Sequence, residues 1–186
     1  NTDMRVGIAR AGNVIGGGDW SPDRIVPDCI KNWNKNKTVE IRNPESTRPW
    51  QHVLEPISGY LMLGQKLDQD KKITGEAYNF GPKTDSNYSV HSLIKEMSEY
   101  LENFKWNIKP SKANGLHEAG LLKLNCDKAL ADLNWRPTLD FKQTVKMTCD
   151  WYHNFYNNNA DEMLEFCNLQ LKQYKDLAKD SDNQVL

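Results

Sequence analysis

The amino-acid sequence predicts an α/β fold, and three observations carry that prediction. Short apolar runs alternate with segments whose apolar residues recur at helical spacing. One such run breaks into a glycine-rich loop and then a helix pattern. Turn signals such as Asn43-Pro44 and Gly81-Pro82 close the strand-like runs. The chain has 186 residues, enough for one domain of ordinary size.

The elements follow in order. Residues 4–10 are expected as a buried strand, leading into the loop Gly12-Asn13-Val14-Ile15-Gly16-Gly17-Gly18. A helix is predicted from Asp23, with Ile25, Val26, Cys29, Ile30 and Trp33 on one face. Pro27 sits near its start, where proline is tolerated. Residues 39–41 form a short strand and residues 51–53 are extended. A helix over 54–67 has Pro56 in its first turn, and Leu54, Ile57, Leu61 and Leu67 as core candidates. Residues 76–80 form a strand. Ser89 caps a helix reaching about residue 101, with Val90, Leu93, Ile94 and Met97 inward. Residues 106–108 form a strand, 110–120 a loop, and 121–124 an extended segment. A short helix over 127–133 ends at Asn134. Asp140 and Gln143 have the spacing of a capping box before a helix carrying Phe141, Val145, Thr148, Tyr152 and Phe155. Asn157-Asn158-Asn159 breaks it. A last helix from Asp161 carries Met163, Cys167, Gln170, Leu171, Tyr174 and Leu177, and residues 178–186 are expected as a frayed tail.

Composition excludes several classes. No run of about 18 apolar residues occurs, so no helical membrane span is expected. With 24 Lys and Arg against 25 Asp and Glu, net charge is −1, which argues against a strongly basic nucleic-acid binder. Aromatic residues at 10% argue against disorder. Cys29, Cys126, Cys149 and Cys167 match no metal spacing, so small buried thiols in a reducing cytoplasm are expected. No secretory or transit signal leads the chain, and no Met stands at position 1. The opening residues run straight into strand pattern, and the sequence is too short of strands before Met4 to make a complete doubly wound sheet by itself. A chain cut from something longer is the expectation.

Three constellations bear on chemistry. The glycine loop matches neither GxGxxG nor GxxxxGK, yet a strand–loop–helix passage places backbone where α/β proteins bind ligands. Glycine lets a ligand approach that backbone closely, and a plain flexible turn is the alternative. Residues 39–53 interleave Arg42, Arg48 and His52 with Pro49 and Trp50. Paired guanidinium groups suit a diphosphate, at about 1.5–3 kcal/mol per charged hydrogen bond. Two surface arginines are the alternative. His117 and Glu118 lie in a loop where imidazole and carboxylate suit acid–base work, against an ordinary solvated loop. His91 and His153 read as surface positions on helices. Asp19, Asp23 and Asp28 straddle a loop and a helix start, and helix capping explains Asp23 more simply than a metal.

The stretch Arg10-Ala11-Gly12-Asn13-Val14-Ile15-Gly16-Gly17-Gly18-Asp19-Trp20, followed by Asp23-Arg24-Ile25-Val26-Pro27-Asp28, resembles the second half of an extended short-chain dehydrogenase/reductase. Further matches are Ile41-Arg42-Asn43-Pro44, Thr47-Arg48-Pro49-Trp50-Gln51-His52-Val53-Leu54-Glu55-Pro56 and Tyr78-Asn79-Phe80-Gly81-Pro82. Leu133-Asn134-Trp135-Arg136-Pro137 resembles the family's late turn, with Asn134 in place of its usual glycine. The resemblance covers about residues 4–177. It is strongest to the branch that dehydrates CDP-glucose, and the Arg-Pro-Trp-Gln-His segment is its most specific part.

The resemblance implies the end of a Rossmann sheet plus a smaller α/β substrate-binding lobe, in residues 1–177. It implies NAD as cofactor, bound mainly by an amino-terminal half that this sequence does not contain. It implies conversion of CDP-glucose to CDP-4-keto-6-deoxyglucose and water, with hydride leaving C4, water lost from C5–C6 and hydride returned to C6. Such a product feeds deoxysugars of bacterial surface polysaccharides. Residues implied in substrate binding are Asn13, Arg24, Arg42, Arg48 and His117, and Ala11 and Gly12 are implied beside the nicotinamide. Gly120, after His117-Glu118-Ala119, departs from the family pattern. No Tyr-x-x-x-Lys occurs in a matching context, so no catalytic residue is assigned and the isolated chain is expected to be inactive. A homo-oligomer is implied for the full-length protein. Other UDP-, GDP- or dTDP-sugar epimerases and dehydratases, and a non-catalytic nucleotide-sugar-binding module, remain as alternatives.

Overall fold

The computed structural model describes residues 4–84, 86–109 and 123–180. Strands β1 (Ile8–Ala11) and β2 (Asn13–Ile15) lead into helix α1 (Ile25–Trp33) and strand β3 (Val39–Ile41). Strands β4 (Thr47–Arg48) and β5 (Trp50–His52) precede helix α2 (Leu54–Gln69). Then come β6 (Ala77–Phe80), β7 (Tyr88–Ser89), α3 (Val90–Ser98), β8 (Trp106–Ile108), α4 (Asp127–Leu133), α5 (Phe141–Asn157) and α6 (Ala160–Asp180).

Three strand pairs are parallel: β1 with β6, β2 with β5, and β3 with β8. Strands β4 and β7 pair antiparallel, with Arg48 opposite Tyr88. Parallel pairs joined through helices make the fold α/β, as expected.

Gly12 is where one extended segment changes partner. Its N–H donates to the Phe80 carbonyl at 3.2 Å, and the next N–H, of Asn13, donates to the Pro49 carbonyl at 3.1 Å. Consecutive N–H groups of an extended chain point to opposite edges. The segment therefore has β6 on one edge up to Gly12 and β5 on the other edge beyond it.

The largest core cluster packs α1, α3 and α5 around β2, β3 and β5, with Cys29, Ile30, Leu93, Ile94, Val145, Cys149 and Tyr152 fully buried. A second cluster joins α2, β6 and α4, with Phe80 and Trp135 edge-to-face at 5.0 Å. A third holds α6 through Leu139, Met147 and Tyr174. The helix ends obey local rules. Ser89 accepts from Ser92 N, Asp140 and Gln143 form the capping box, and Asn134 adopts the left-handed conformation at φ 55°.

Several expectations are corrected. On α2, Ile57 and Leu61 are exposed, while Glu55, Ser58, Gly59, Met62 and Leu63 are buried. The helix turns its small residues inward because a Cβ at Gly59 would sit 2.2 Å from the Phe80 ring. Residues 4–10 are not a buried strand: Met4, Val6 and Ile8 are 72%, 48% and 47% exposed. Among the described residues, β1 has a pairing partner on one edge only. Asp23 does not cap α1. It holds a left-handed φ of 61°, and Arg24 occupies the cap position without a side-chain hydrogen bond. Of the free thiols only Cys29 and Cys149 are fully buried, and burial raises both thiol pKa values. Cys167 is exposed, and Trp151 Nε1 donates to its sulfur at 3.2 Å. Phe155 is exposed as well. Helix α6 runs on to Asp180, with Ala178 buried. No described helix is long and apolar enough to cross a membrane.

Candidate functional site

A cavity of about 620 Å³ opens where β1 and β2 meet the start of α1. One wall is formed by residues 11–16, and a second is the start of α1 with Asp23, Arg24, Ile25, Val26 and Pro27. Asn43, Ser46, Arg48 and Trp50 close the third side. The carboxyl ends of parallel strands are where an α/β sheet leaves a crevice for ligands.

The glycine loop is closely packed on α5. A Cβ at Gly17 would lie 2.0 Å from the Trp151 ring, and one at Gly16 2.8 Å from Val53. The Tyr152 hydroxyl donates to the Asp19 carbonyl at 2.7 Å, and Trp20 packs edge-to-face on Tyr152 at 5.3 Å. Helix α5 therefore places Asp19 at the cavity. Asp19 accepts from Ser21 N at 3.0 Å and from the Arg24 guanidinium at 3.1 Å. Partial burial acts to raise its carboxyl pKa, but the hydrogen bonds from Ser21 and Arg24 outweigh it and hold the group below its ordinary value.

The opposite side is held by β4 and β5. Trp50 Nε1 donates to the Tyr88 carbonyl at 3.1 Å, and Arg48 Nη1 donates to the Thr47 carbonyl at 2.8 Å. Half-buried Arg48 thus lines the cavity from β4, whose partner strand is β7.

Of the residues the sequence singled out, Ala11, Gly12, Asn13, Arg24 and Arg48 all line this one cavity. Arg42 does not line it. It is exposed just beyond the end of β3. His117 lies outside the described residues, as does the whole of the expected loop at 110–120. Asp19, Asn43 and Ser46 line the cavity but were not expected there. The nearest sequence signal for Asn43 and Ser46 is their place in the turn before Arg48. Among the described residues, no group of three His, Cys, Asp or Glu is placed to hold a metal ion. The described lining contains no His, Cys, Lys or Tyr. Two guanidinium groups, amides, a hydroxyl, the carboxylates of Asp19 and Asp23 and apolar side chains line the cavity.

His52, next to the wall, is buried, with Nδ1 facing Leu54 N at 3.4 Å. Burial pushes its pKa down to about 4. Its Nε2 has no partner among the described residues.

No protein-family model matches the chain. Over 150 residues, 79% of this chain, it is 41% identical to the CDP-glucose 4,6-dehydratase of Salmonella typhimurium, covering 41% of that protein. It is 27% identical over 170 residues, 85% of this chain, to the dTDP-D-glucose 4,6-dehydratase of Bos taurus, covering 44% of it. The chain spans less than half the length of these relatives. Its fold matches the UDP-glucuronic acid 4-epimerase of Bacillus cereus, solved with UDP-glucuronic acid and NAD, at a TM-score of 0.68 and 22% identity, covering 84% of this chain and 48% of that one. The chain is thus similar in sequence to CDP-glucose 4,6-dehydratase and has the α/β fold of the carboxyl-terminal part of an extended short-chain dehydrogenase/reductase.

Proposed function

We propose that this chain is the substrate-binding part of an NAD-dependent CDP-glucose 4,6-dehydratase, a lyase. The observation that carries the reading is the meeting of Asn13, Arg24 and Arg48 on one cavity, in a chain 41% identical to such an enzyme.

In this reading Arg48 and Arg24 take the diphosphate of CDP-glucose through charged, paired hydrogen bonds. Asn13 adds an amide donor at the same end. Ile25, Val26, Pro27 and Trp50 supply the apolar surface that excludes water around the sugar and base. Arg42 and His117 keep weaker claims, one outside the cavity and one outside the described residues.

NAD would sit beside Ala11 and Gly12, which put no long side chain of their own on the cavity wall. Bound there, NAD would supply the hydride acceptor and donor for the sugar. The chain's own residues position the sugar against that wall and hold the phosphates. Acid–base groups come from outside this chain. Cytoplasmic location and a homo-oligomeric full-length protein accompany the reading.

Turnover tests it. The full-length protein carrying this chain, supplied with NAD and CDP-glucose, is expected to release CDP-4-keto-6-deoxyglucose, while this chain alone is expected to be inactive. Turnover of a UDP-, GDP- or dTDP-sugar in preference to CDP-glucose would replace the substrate assignment. Binding without turnover by the full-length protein would favour a non-catalytic module.

A further inference from the structure

Gln51 is 1% exposed, yet it is polar and only half satisfied. Its Nε2 donates to the Phe80 carbonyl at 2.8 Å. Its Oε1 is buried with no partner among the described residues. Burying an unpaired amide oxygen costs free energy. The Phe80 carbonyl does not need the bond, because it already accepts from Gly12 N. A methionine of similar size would fill the space without the cost.

The geometry shows what the amide does there. Gln51 lies on β5 and Phe80 at the end of β6, on opposite edges of the segment that passes between them at Gly12. The side chain of Gln51 therefore crosses that segment to reach Phe80. It crosses at Gly12, where a Cβ would stand 3.2 Å from Nε2 and 2.8 Å from the Pro49 carbonyl. Gly12 is bare because the Pro49 carbonyl and the Gln51 amide both lie over it. Residues 11–13 beneath this strap form the cavity wall.

We propose that Gln51 is a positioning residue: its amide straps β5 to β6 across Gly12 and so holds the Ala11–Asn13 backbone where the bound nucleotide sugar needs it. The strap acts at the point where the segment changes partner. Without it, each half of the segment can follow its own neighbouring strand, and the wall residues shift with the join.

The inference rests on the proposed function, but one of its tests does not. In the full-length protein, Gln51→Met keeps the volume and removes the donor. Ser58→Ala serves as the matched control, since Ser58 is buried and hydrogen-bonded to Trp135 and Tyr174 but does not line the cavity. The expected result is a KM for CDP-glucose raised roughly tenfold by Gln51→Met with kcat changed less than about threefold. Hydrogen exchange, which needs no ligand, is expected to quicken at the Gly12 and Asn13 amides in Gln51→Met. Neither change is expected in Ser58→Ala at a comparable loss of melting temperature. Wild-type KM and exchange in Gln51→Met would overturn the inference. So would equal changes in both variants. If Gln51→Met has no cooperative melt, Gln51→Asn, which keeps the donor on a shorter side chain, is judged by the same readouts. If wild-type protein does not bind CDP-glucose, the function fails and the exchange result alone decides the strap.

Discussion

The Tyr174 hydroxyl donates to Glu55 Oε2 at 3.1 Å, joining residues 119 apart in sequence. The same carboxylate accepts from Thr138 N at 3.0 Å and from Leu139 N at 2.6 Å. Ser58 Oγ, one turn along α2, meets the Tyr174 hydroxyl at 3.1 Å and accepts from Trp135 Nε1 at 2.9 Å. A single buried carboxylate thus ties α6, α2 and the approach to α5 together. Helix α5 in turn holds the loop that carries Asp19 to the cavity.

Removing either partner is expected to cost stability by different amounts. Tyr174→Phe removes the hydroxyl that meets Glu55 and Ser58 and is expected to cost about 1 kcal/mol. Glu55→Ala strands the buried Leu139 N–H, the half-buried Thr138 N–H and a hydroxyl, and about 3 kcal/mol or more is expected. Urea denaturation of both variants checks the order.

Two buried groups give opposite pH dependences. Burial raises the Glu55 pKa from 4.5 to about 7, against the opposing hydrogen bonds from Leu139, Thr138 and Tyr174. Between those values the folded protein holds a proton that the unfolded chain has released, so Glu55's contribution is complete below pH 4.5 and fades as pH rises through about 7. Burial lowers the His52 pKa from 6.5 to about 4. There the unfolded chain holds the extra proton, so His52's contribution is complete above pH 6.5 and is lost as pH falls through about 4. The slopes, each at most about 1.4 kcal/mol per pH unit, oppose one another in the overlap. Relative to wild type, Glu55→Gln is expected to gain stability with rising pH across the window, and His52→Gln to lose it. Urea midpoints from pH 4 to 7.5 read both signs.

Two glycines are expected to respond oppositely to alanine. At Gly12 the new Cβ meets the Pro49 carbonyl at 2.8 Å, so Gly12→Ala should cost about 1–3 kcal/mol and weaken ligand binding. At Gly64, exposed inside α2, a Cβ meets nothing within 4 Å, and Gly64→Ala should stabilise by about 0.5–1 kcal/mol. Thermal melts of the pair decide it.

Much of this was legible in the sequence, for identifiable reasons. The capping box at Asp140 and Gln143, the Ser89 cap and the stop at Asn134 are local, and local chemistry decided them. Asn13, Arg24 and Arg48 were legible through a family resemblance, and the fold brings them to one cavity. The inward face of α2 was not legible. Apolar spacing favoured Ile57 and Leu61, but the Phe80 ring demands Gly59, and distant Thr138, Leu139 and Tyr174 demand Glu55. Gln51 was hidden likewise, since its partner Phe80 is 29 residues away.

The two arginines should separate in binding. Arg48→Ala, at the cavity, is expected to weaken nucleotide-sugar affinity at least tenfold, the scale of one charged hydrogen bond. Arg42→Ala, outside it, is expected to change affinity less than about threefold. Titration calorimetry on the full-length protein measures both.

The most direct measurement is a thermal melt of the full-length protein with CDP-glucose, and with UDP-, GDP- and dTDP-glucose alongside. At about a hundred times its dissociation constant a ligand adds roughly 2.7 kcal/mol, enough to raise the midpoint by several degrees. The account predicts a rise with CDP-glucose alone, abolished by Arg48→Ala at the same ligand concentration. A cooperative melt unmoved by CDP-glucose, or a rise that Arg48→Ala leaves intact, would contradict it.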